Sequence, residues 1–338
     1  MSANSLTPWW SFALFRSFNR CKREFFYDFF WGQNERWKWC LYEMKRLRTL
    51  KAFRGTAVHD VIANLLEKSR RGERVNKDAA LSELVDVLRR GYMESSSGWW
   101  NSDLRPPDLR LKDVTCLLEH YYRFEKDLVD AEFEEQLEYA KHCIENLFKL
   151  DVWKRLLQSN SKRWMAIDRT QPLSFDLDGV RVILKLDFAC EFGSRRVVDW
   201  KTGAPSSDDR FQLALYSLYA EKQWGWSPPT STKLTAVYLY PEASRAEFCV
   251  TEQDIQNVCA LVKRSFAEMM EPVHRTGRPD ENDYPRTESS ATCPKCRFQG
   301  VCSRESERVR EILANNRTQT PTKGENAAEE ALPPAFEE

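Results

Sequence analysis

Residues 180–201 constrain the fold more than any other stretch, because their hydrophobicity alternates and three charged residues fall where the alternation fixes them. In Val180-Arg181-Val182-Ile183-Leu184-Lys185-Leu186-Asp187, Val182, Leu184 and Leu186 share one face of an extended strand, and Arg181, Lys185 and Asp187 share the other. In Arg196-Val197-Val198-Asp199-Trp200-Lys201, Asp199 and Lys201 share a face while Val198 and Trp200 turn away. Phe192-Gly193-Ser194-Arg195 supplies a turn, so the two runs are expected to form an antiparallel hairpin. Asp187 and Asp199 face the same way only if the connection is odd in length, for example a three-residue turn with Gly193 at positive φ. An even connection separates the carboxylates.

Two carboxylates and a lysine on neighbouring strands are the parts needed to hold Mg²⁺ or Mn²⁺ beside a phosphodiester. Such hard cations take oxygen ligands and keep positions open for water and phosphate. Bound water is acidified, and a nearby lysine orients it or stabilises charge developing on phosphorus. An Asp-x-Lys tripeptide alone is commonplace on an exposed strand, so the surrounding sequence decides.

Leu186-Asp187 followed by Val198-Asp199-Trp200-Lys201-Thr202-Gly203 resembles the core of the PD-(D/E)XK nuclease superfamily, in particular its RecB-like branch. The next element of that pattern, Q-x-x-x-Y, is present as Gln212-Leu213-Ala214-Leu215-Tyr216. Pro205-Ser206-Ser207-Asp208-Asp209 reads as the start of its helix, with a serine cap and an acidic first turn. Gln212 and Tyr216 then lie one turn apart, able to approach the scissile strand or to order Lys201. Upstream, Gly55-Thr56-Ala57-Val58-His59 matches the family's helical G-x-x-x-H segment. The resemblance implies that His59, Asp187 and Asp199 ligate the metal, helped by the backbone carbonyl of Trp200, with Lys201 catalytic and Gln212 and Tyr216 positioning DNA. Asp168 stands near the family's upstream acidic position, with Asp176 and Asp178 as rivals. Leu184 occupies the place where the family usually has glycine, three residues before the first metal aspartate.

The ten cysteines carry a second pattern. With no signal peptide, free thiols in a reducing cytoplasm are expected, most of them buried. The exception is Cys293-Pro-Lys-Cys296-Arg-Phe-Gln-Gly-Val-Cys302, which needs a fourth ligand for which Cys21 is the candidate. Iron–sulfur members of the RecB-like branch, AddB-type and CRISPR-associated adaptation nucleases among them, share this layout. The resemblance implies a 4Fe–4S cluster clamping the chain ends together; tetrahedral zinc is the alternative.

Formal charge is balanced, 51 Lys and Arg against 51 Asp and Glu, but residues 1–60 hold eleven basic and five acidic side chains. That suits a basic entrance, and equally a solvated helix surface. No run reaches the length of a membrane span. The aromatic cluster Trp9, Trp10, Phe12, Phe15, Phe18 and Phe25 to Tyr27 reads as core packing, with base stacking the sharper alternative.

The expected architecture is α/β: a restriction-endonuclease-like core of mixed sheet flanked by helices, with a helical cap and an iron–sulfur clamp. Residues 1–72 form an N-terminal helical segment carrying Cys21 and His59, helical from residue 8, and 73–160 a helical cap. The nuclease core spans 161–271, with strands near Trp164–Ile167, 180–201, 234–240 and 246–250, and a helix from the Thr251-Glu252-Gln253-Asp254 capping box to about Met270. The cysteine loop and a C-terminal helix occupy 272–314, and an acidic disordered tail 315–338. The function implied is a metal-dependent deoxyribonuclease, an exonuclease or end-processing enzyme favouring single-stranded DNA, in recombination, repair, CRISPR adaptation or phage defence. It could work with a helicase or another complex subunit. A DNA-binding scaffold with a vestigial site is the alternative.

Overall fold

Asp178 and Gly179 both take positive φ, 52° and 87°. This is the two-residue turn whose twist matches that of flanking strands, and Asp-Gly is its preferred sequence. It folds Leu173–Leu177 back on Val180–Leu184, with Leu177 opposite Val180 and Leu173 opposite Leu184. The 180–187 run is therefore not the partner of the Asp199 strand, which corrects the expected hairpin. The local turn claims Val180–Leu184 for a separate sheet, and the strand beside Asp199 is Phe188–Phe192. Glu191 opposes Arg195 and Phe192 opposes Ser194 around Gly193, whose φ is +67°. The connection is odd, and the register brings Asp187, one step beyond the first pair Phe188–Val198, level with Asp199.

The computed structural model describes residues 8–34, 37–101, 104–168, 172–289, 291–303 and 310. The expected acidic tail, 315–338, lies outside the described residues. In chain order the elements are β1 (Trp9–Trp10), α1 (Phe12–Arg20), α2 (Lys22–Phe29), α3 (Lys38–Met44), α4 (Leu50–Arg70), α5 (Lys77–Ser96), α6 (Leu118–Tyr121), α7 (Lys126–Lys149) and α8 (Asp151–Gln158). There follow β2 (Trp164–Ile167), β3 (Leu173–Leu177), β4 (Val180–Leu184), β5 (Phe188–Phe192), β6 (Ser194–Lys201), α9 (Ser207–Trp224), β7 (Lys233–Tyr238), β8 (Ser244–Phe248), α10 (Glu252–Thr276) and α11 (Gln299–Ser303). The chain from residue 8 was expected to be helical; Trp9 and Trp10 instead extend beside β4, in parallel.

Two compact units result. The first comprises Met1–Phe12, as far as described, with Arg54–Leu88 and Gln136–Met269. It holds both sheets: β1-β4-β3, and the five-stranded β2-β5-β6-β7-β8, in which only the β6–β7 pair is parallel. Val198 and Trp200 are fully buried, and Trp200 meets Trp153 of α8 edge to face at 6.0 Å. Helix α9 begins with a capping box: Ser206 caps the first turn, and Asp209 accepts the Ser206 N–H at 2.9 Å. Thr251 and Asp254 form the same reciprocal pair at the start of α10.

The second unit comprises Ala13–Phe53, Arg89–Glu135 and Met270–Glu338, as far as described. Residues 73–160 are thus divided between both units. Its core is aromatic: Phe25, Phe26 and Phe30 surround Tyr284 with ring centroids 5.4 to 6.0 Å apart. Arg23 donates to the Tyr284 carbonyl at 2.8 Å and pairs with Glu281, tying α2 to residues distant in sequence. Among the described residues no helix is long and apolar enough to cross a membrane.

Candidate active site

Three strands bring three aspartates level in the first unit. Beyond the pair Ile167–Phe188, the Asp168 N–H donates to the Asp187 carbonyl at 2.7 Å, so Asp168 sits beside Asp187 as Asp187 sits beside Asp199. Helix α4 supplies the histidine. At Gly55 the helix runs close to the end of β6, where an added Cβ would lie 3.5 Å from Thr202 Oγ1. One turn on, His59 Nδ1 stands 3.1 Å from Asp187 Oδ1. Ligand atoms of His59, Asp168 and Asp187 lie within 4.8 Å of one another, the one such trio among the described residues.

The donor set fits a divalent cation. Asp168 Oδ1 is buried without a hydrogen-bond partner, and its carboxylate has Lys185 at 3.0 Å. Leaving a buried carboxylate oxygen unsatisfied is costly unless a cation or proton completes it. Burial, then the neighbouring Asp187 charge, raises the Asp168 carboxyl to about 6. Burial pushes the same way on Asp187, but His59, the Trp200 N–H and Lys201 together hold Asp187 below the ordinary carboxylate range. The Trp200 N–H donates to Asp187 Oδ2 at 2.6 Å. In a strand, N–H and C=O of one residue point to the same side, and the Lys201 carbonyl accepts from Leu239 N–H on the opposite flank. The Trp200 carbonyl therefore faces the Asp187 side.

Asp199 belongs to a second, adjoining group. Its Oδ2 pairs with Lys201 Nζ at 2.8 Å, and Lys201 also donates to Gln212 Oε1 at 2.6 Å. Gln212 Nε2 in turn donates to Tyr216 Oη at 2.7 Å. Gln212 and Tyr216 are both buried, and Gln212 links Tyr216 to Lys201. Lys201 also pairs with Asp209 Oδ1 at 3.6 Å. The rivals of Asp168 serve the β3–β4 turn: Asp176 accepts the Gly179 N–H at 3.0 Å, and Asp178 pairs with Lys263.

Sequence reasoning did not find Asp209, Tyr238 or Tyr139. Tyr238 is the register partner of Lys201 on β7 and donates to Asp209 Oδ2 at 2.6 Å. Tyr139 of α7 donates to the Thr202 carbonyl at 2.6 Å, directly after the lysine, and carries the Arg54 guanidinium over its ring at 3.8 Å. Asp209 was legible only as a cap residue, and the tyrosines carried no local signal.

The four candidate cluster cysteines gather in the second unit. Cys21 immediately precedes α2, Cys293 and Cys296 bracket a single 3₁₀ turn, and Cys302 lies on α11. Burial raises the Cys302 thiol, with Cys21 and Cys293 near enough to add to it. Burial, then Glu24, pushes Cys296 up to about 12, and Cys21 adds to that. Cys40, Cys116, Cys143 and Cys190 are buried.

The family profile of the PD-(D/E)XK nuclease superfamily matches residues 10–303, and the chain belongs to that superfamily. Members use divalent metals, and the His59–Asp168–Asp187 trio is a possible site for one. A search of curated proteins found no match. Among solved structures, the chain is similar to a Eubacterium rectale protein bearing the name exonuclease, at 13% identity and a TM-score of 0.32, over 53% of this chain and 71% of that one. It is also similar to the protein SSO0001, at 14% identity and a TM-score of 0.27, over 55% of this chain and 81% of that one.

Proposed function

We propose that this chain is a Mg²⁺- or Mn²⁺-dependent deoxyribonuclease of the RecB-like branch, acting on single-stranded DNA or free DNA ends as an exonuclease or end-processing enzyme. The observation that carries the reading is the meeting of His59, Asp168 and Asp187 beside the Asp199–Lys201 pair on the next strand. His59 and Asp187 would hold the cation together with Asp168, Asp199 and the Trp200 carbonyl. A divalent cation bound there supplies Lewis-acid polarisation of the phosphodiester and acidification of the attacking water. The protein's own contribution is positional. Asp187 is fixed by His59 and the Trp200 N–H, and Lys201, held by Gln212, presents its charge where negative charge grows on the phosphate oxygens. Tyr216, which accepts from Gln212, steadies it.

The preference for single strands and ends rests on the resemblance to RecB-like nucleases, as does a role in recombination, repair, CRISPR adaptation or phage defence beside a helicase or other subunit. Cys21, Cys293, Cys296 and Cys302 would ligate a 4Fe–4S cluster. Such a cluster supplies covalent links between segments far apart in sequence, and closing so long a loop lowers the entropy of the unfolded chain.

The test uses anaerobically purified protein on end-labelled single-stranded and duplex DNA with Mg²⁺, Mn²⁺ or EDTA. Metal-dependent cutting that favours the single strand and is abolished in Asp187→Asn is the expected result, and the product ladder reads the polarity. An inert, folded, metal-loaded protein that still binds DNA would favour a scaffold with a vestigial site.

A further inference from the structure

Asp209 lies outside every motif position, yet it is buried, its side chain 7% exposed, beside the motif lysine. Its two oxygens have different partners. Oδ2 accepts from the Ser206 N–H at 2.9 Å and from the Tyr238 hydroxyl at 2.6 Å, so its orientation is set from two elements. Oδ1 faces Lys201 Nζ at 3.6 Å, too long for a direct hydrogen bond and well within ion-pair range. Tyr238 reaches this point because parallel β6–β7 pairing puts it beside Lys201. Its hydroxyl is held in the protonated, donating form by burial and by Asp209.

We propose that Asp209, oriented by Tyr238, is a positioning residue for Lys201, keeping the ammonium in register with the reacting phosphate. The inference rests on the reading of Lys201 as a participant in cleavage. The physical need is plain. Lys201 is nearly buried, and its nearest anion, Asp199, is also a metal-ligand candidate. When Asp199 directs an oxygen elsewhere, a buried ammonium without a second carboxylate bears the cost of an uncompensated charge. Asp209 supplies that carboxylate from a different element, and Gln212 accepts a hydrogen bond from the same ammonium. The helix cap thus serves two ends at once, stopping α9 from fraying and anchoring the lysine.

Kinetics of full-length Asp209→Asn, Tyr238→Phe, Ser206→Ala and Lys201→Ala on end-labelled DNA, with melting temperatures, test this. Asp209→Asn keeps the shape and can still accept from Ser206 and Tyr238, but loses the charge. It should lower kcat roughly tenfold to a hundredfold with KM nearly unchanged and the melting temperature retained. Tyr238→Phe should lower kcat in the same manner and by less, and it remains informative if Asp209→Asn folds poorly. Ser206→Ala weakens the cap without touching the carboxylate–lysine contact, so it should lower the melting temperature and leave kcat alone. Wild-type kcat in both Asp209→Asn and Tyr238→Phe, or an equal loss of kcat in Ser206→Ala, would overturn the proposal. An active Lys201→Ala would sink the underlying reading instead.

Discussion

The aspartate–lysine site of the first unit and the cysteine corner of the second are built on opposite plans. In the first, reactive side chains stand on three adjacent strands and one helix, and register alone brings Asp168, Asp187 and Asp199 into line. Each motif side chain there is held by a named neighbour: His59 to Asp187, Lys201 to Asp199 and Gln212, and Gln212 to Tyr216. In the second, the sulfurs ride on a helix start, one 3₁₀ turn and a short helix. Precision there comes from the scaffold: the Phe25–Phe26–Phe30–Tyr284 cluster, the Arg23–Glu281 pair, and half-buried Asp28 between Lys45 at 3.2 Å and Arg297 at 2.9 Å. A sheet can pre-organise a constellation from backbone geometry, whereas a corner of short segments depends on side-chain packing and, in the proposed reading, on the group it binds.

The two plans should fail differently. Asp187→Asn removes the negative charge and one of the two carboxylate oxygens that meet His59 and the Trp200 N–H, and should cost more than the roughly 100-fold that loss of a supporting partner costs at a metal site. Iron content should stay at the wild-type value, measured by inductively coupled plasma spectrometry. Cys293→Ser should do the reverse in kind, losing the iron of the proposed 4Fe–4S cluster and lowering the melting temperature; zinc in place of iron would correct the cluster assignment. Asp28→Ala leaves Lys45 and Arg297 without their shared anion, a loss expected at about 3 kcal/mol by denaturant titration. The Asp28 carboxyl is pushed up by burial but held below its ordinary value by Arg297 and Lys45. Its stabilisation is thus present above the unfolded carboxylate pKa of about 4 and is lost as pH falls through the lower folded value. The wild type should therefore lose stability below that pH more steeply than the variant.

Two glycines sharpen the contrast at the small end. An added Cβ at Gly91 would meet Phe53 at 2.3 Å and Thr115 Oγ1 at 2.8 Å. Gly91→Ala should therefore destabilise by overpacking, about 1–3 kcal/mol. Gly193 has nothing within 4 Å of an added Cβ and a φ of +67°. Gly193→Ala should cost about 1 kcal/mol, purely from backbone conformation. Equal losses at both positions would mean that packing governs the sheet as much as the aromatic unit.

Most of the motif chemistry was legible because a period of two dictates which strand residues share a face. The shared face of Asp199 and Lys201 followed from it, and an odd connection at Gly193 was the condition it set for Asp187 to join them. The strand partner did not, because alternation in 180–187 says which face is buried and not which strand pairs. The Asp178-Gly179 turn carried that information and competed with the reading of Asp178 as a site residue. Gln212 and Tyr216 were visible as a one-turn pair, but their inward direction depends on burial, which a sequence does not specify. Asp209 and Tyr238 meet across 29 residues, a contact made by tertiary packing alone. The cysteines are legible by type and spacing, and their gathering in one unit depends on Arg23, Tyr284 and the aromatic core.

The most direct test of the account is Lys201→Ala compared with the wild type in cleavage of end-labelled single-stranded and duplex DNA with Mn²⁺, with melting temperature and iron content measured on the same preparations. The account predicts a folded, iron-replete variant whose metal-dependent cutting falls by about 100-fold or more. Cutting at the wild-type rate by that variant would contradict it.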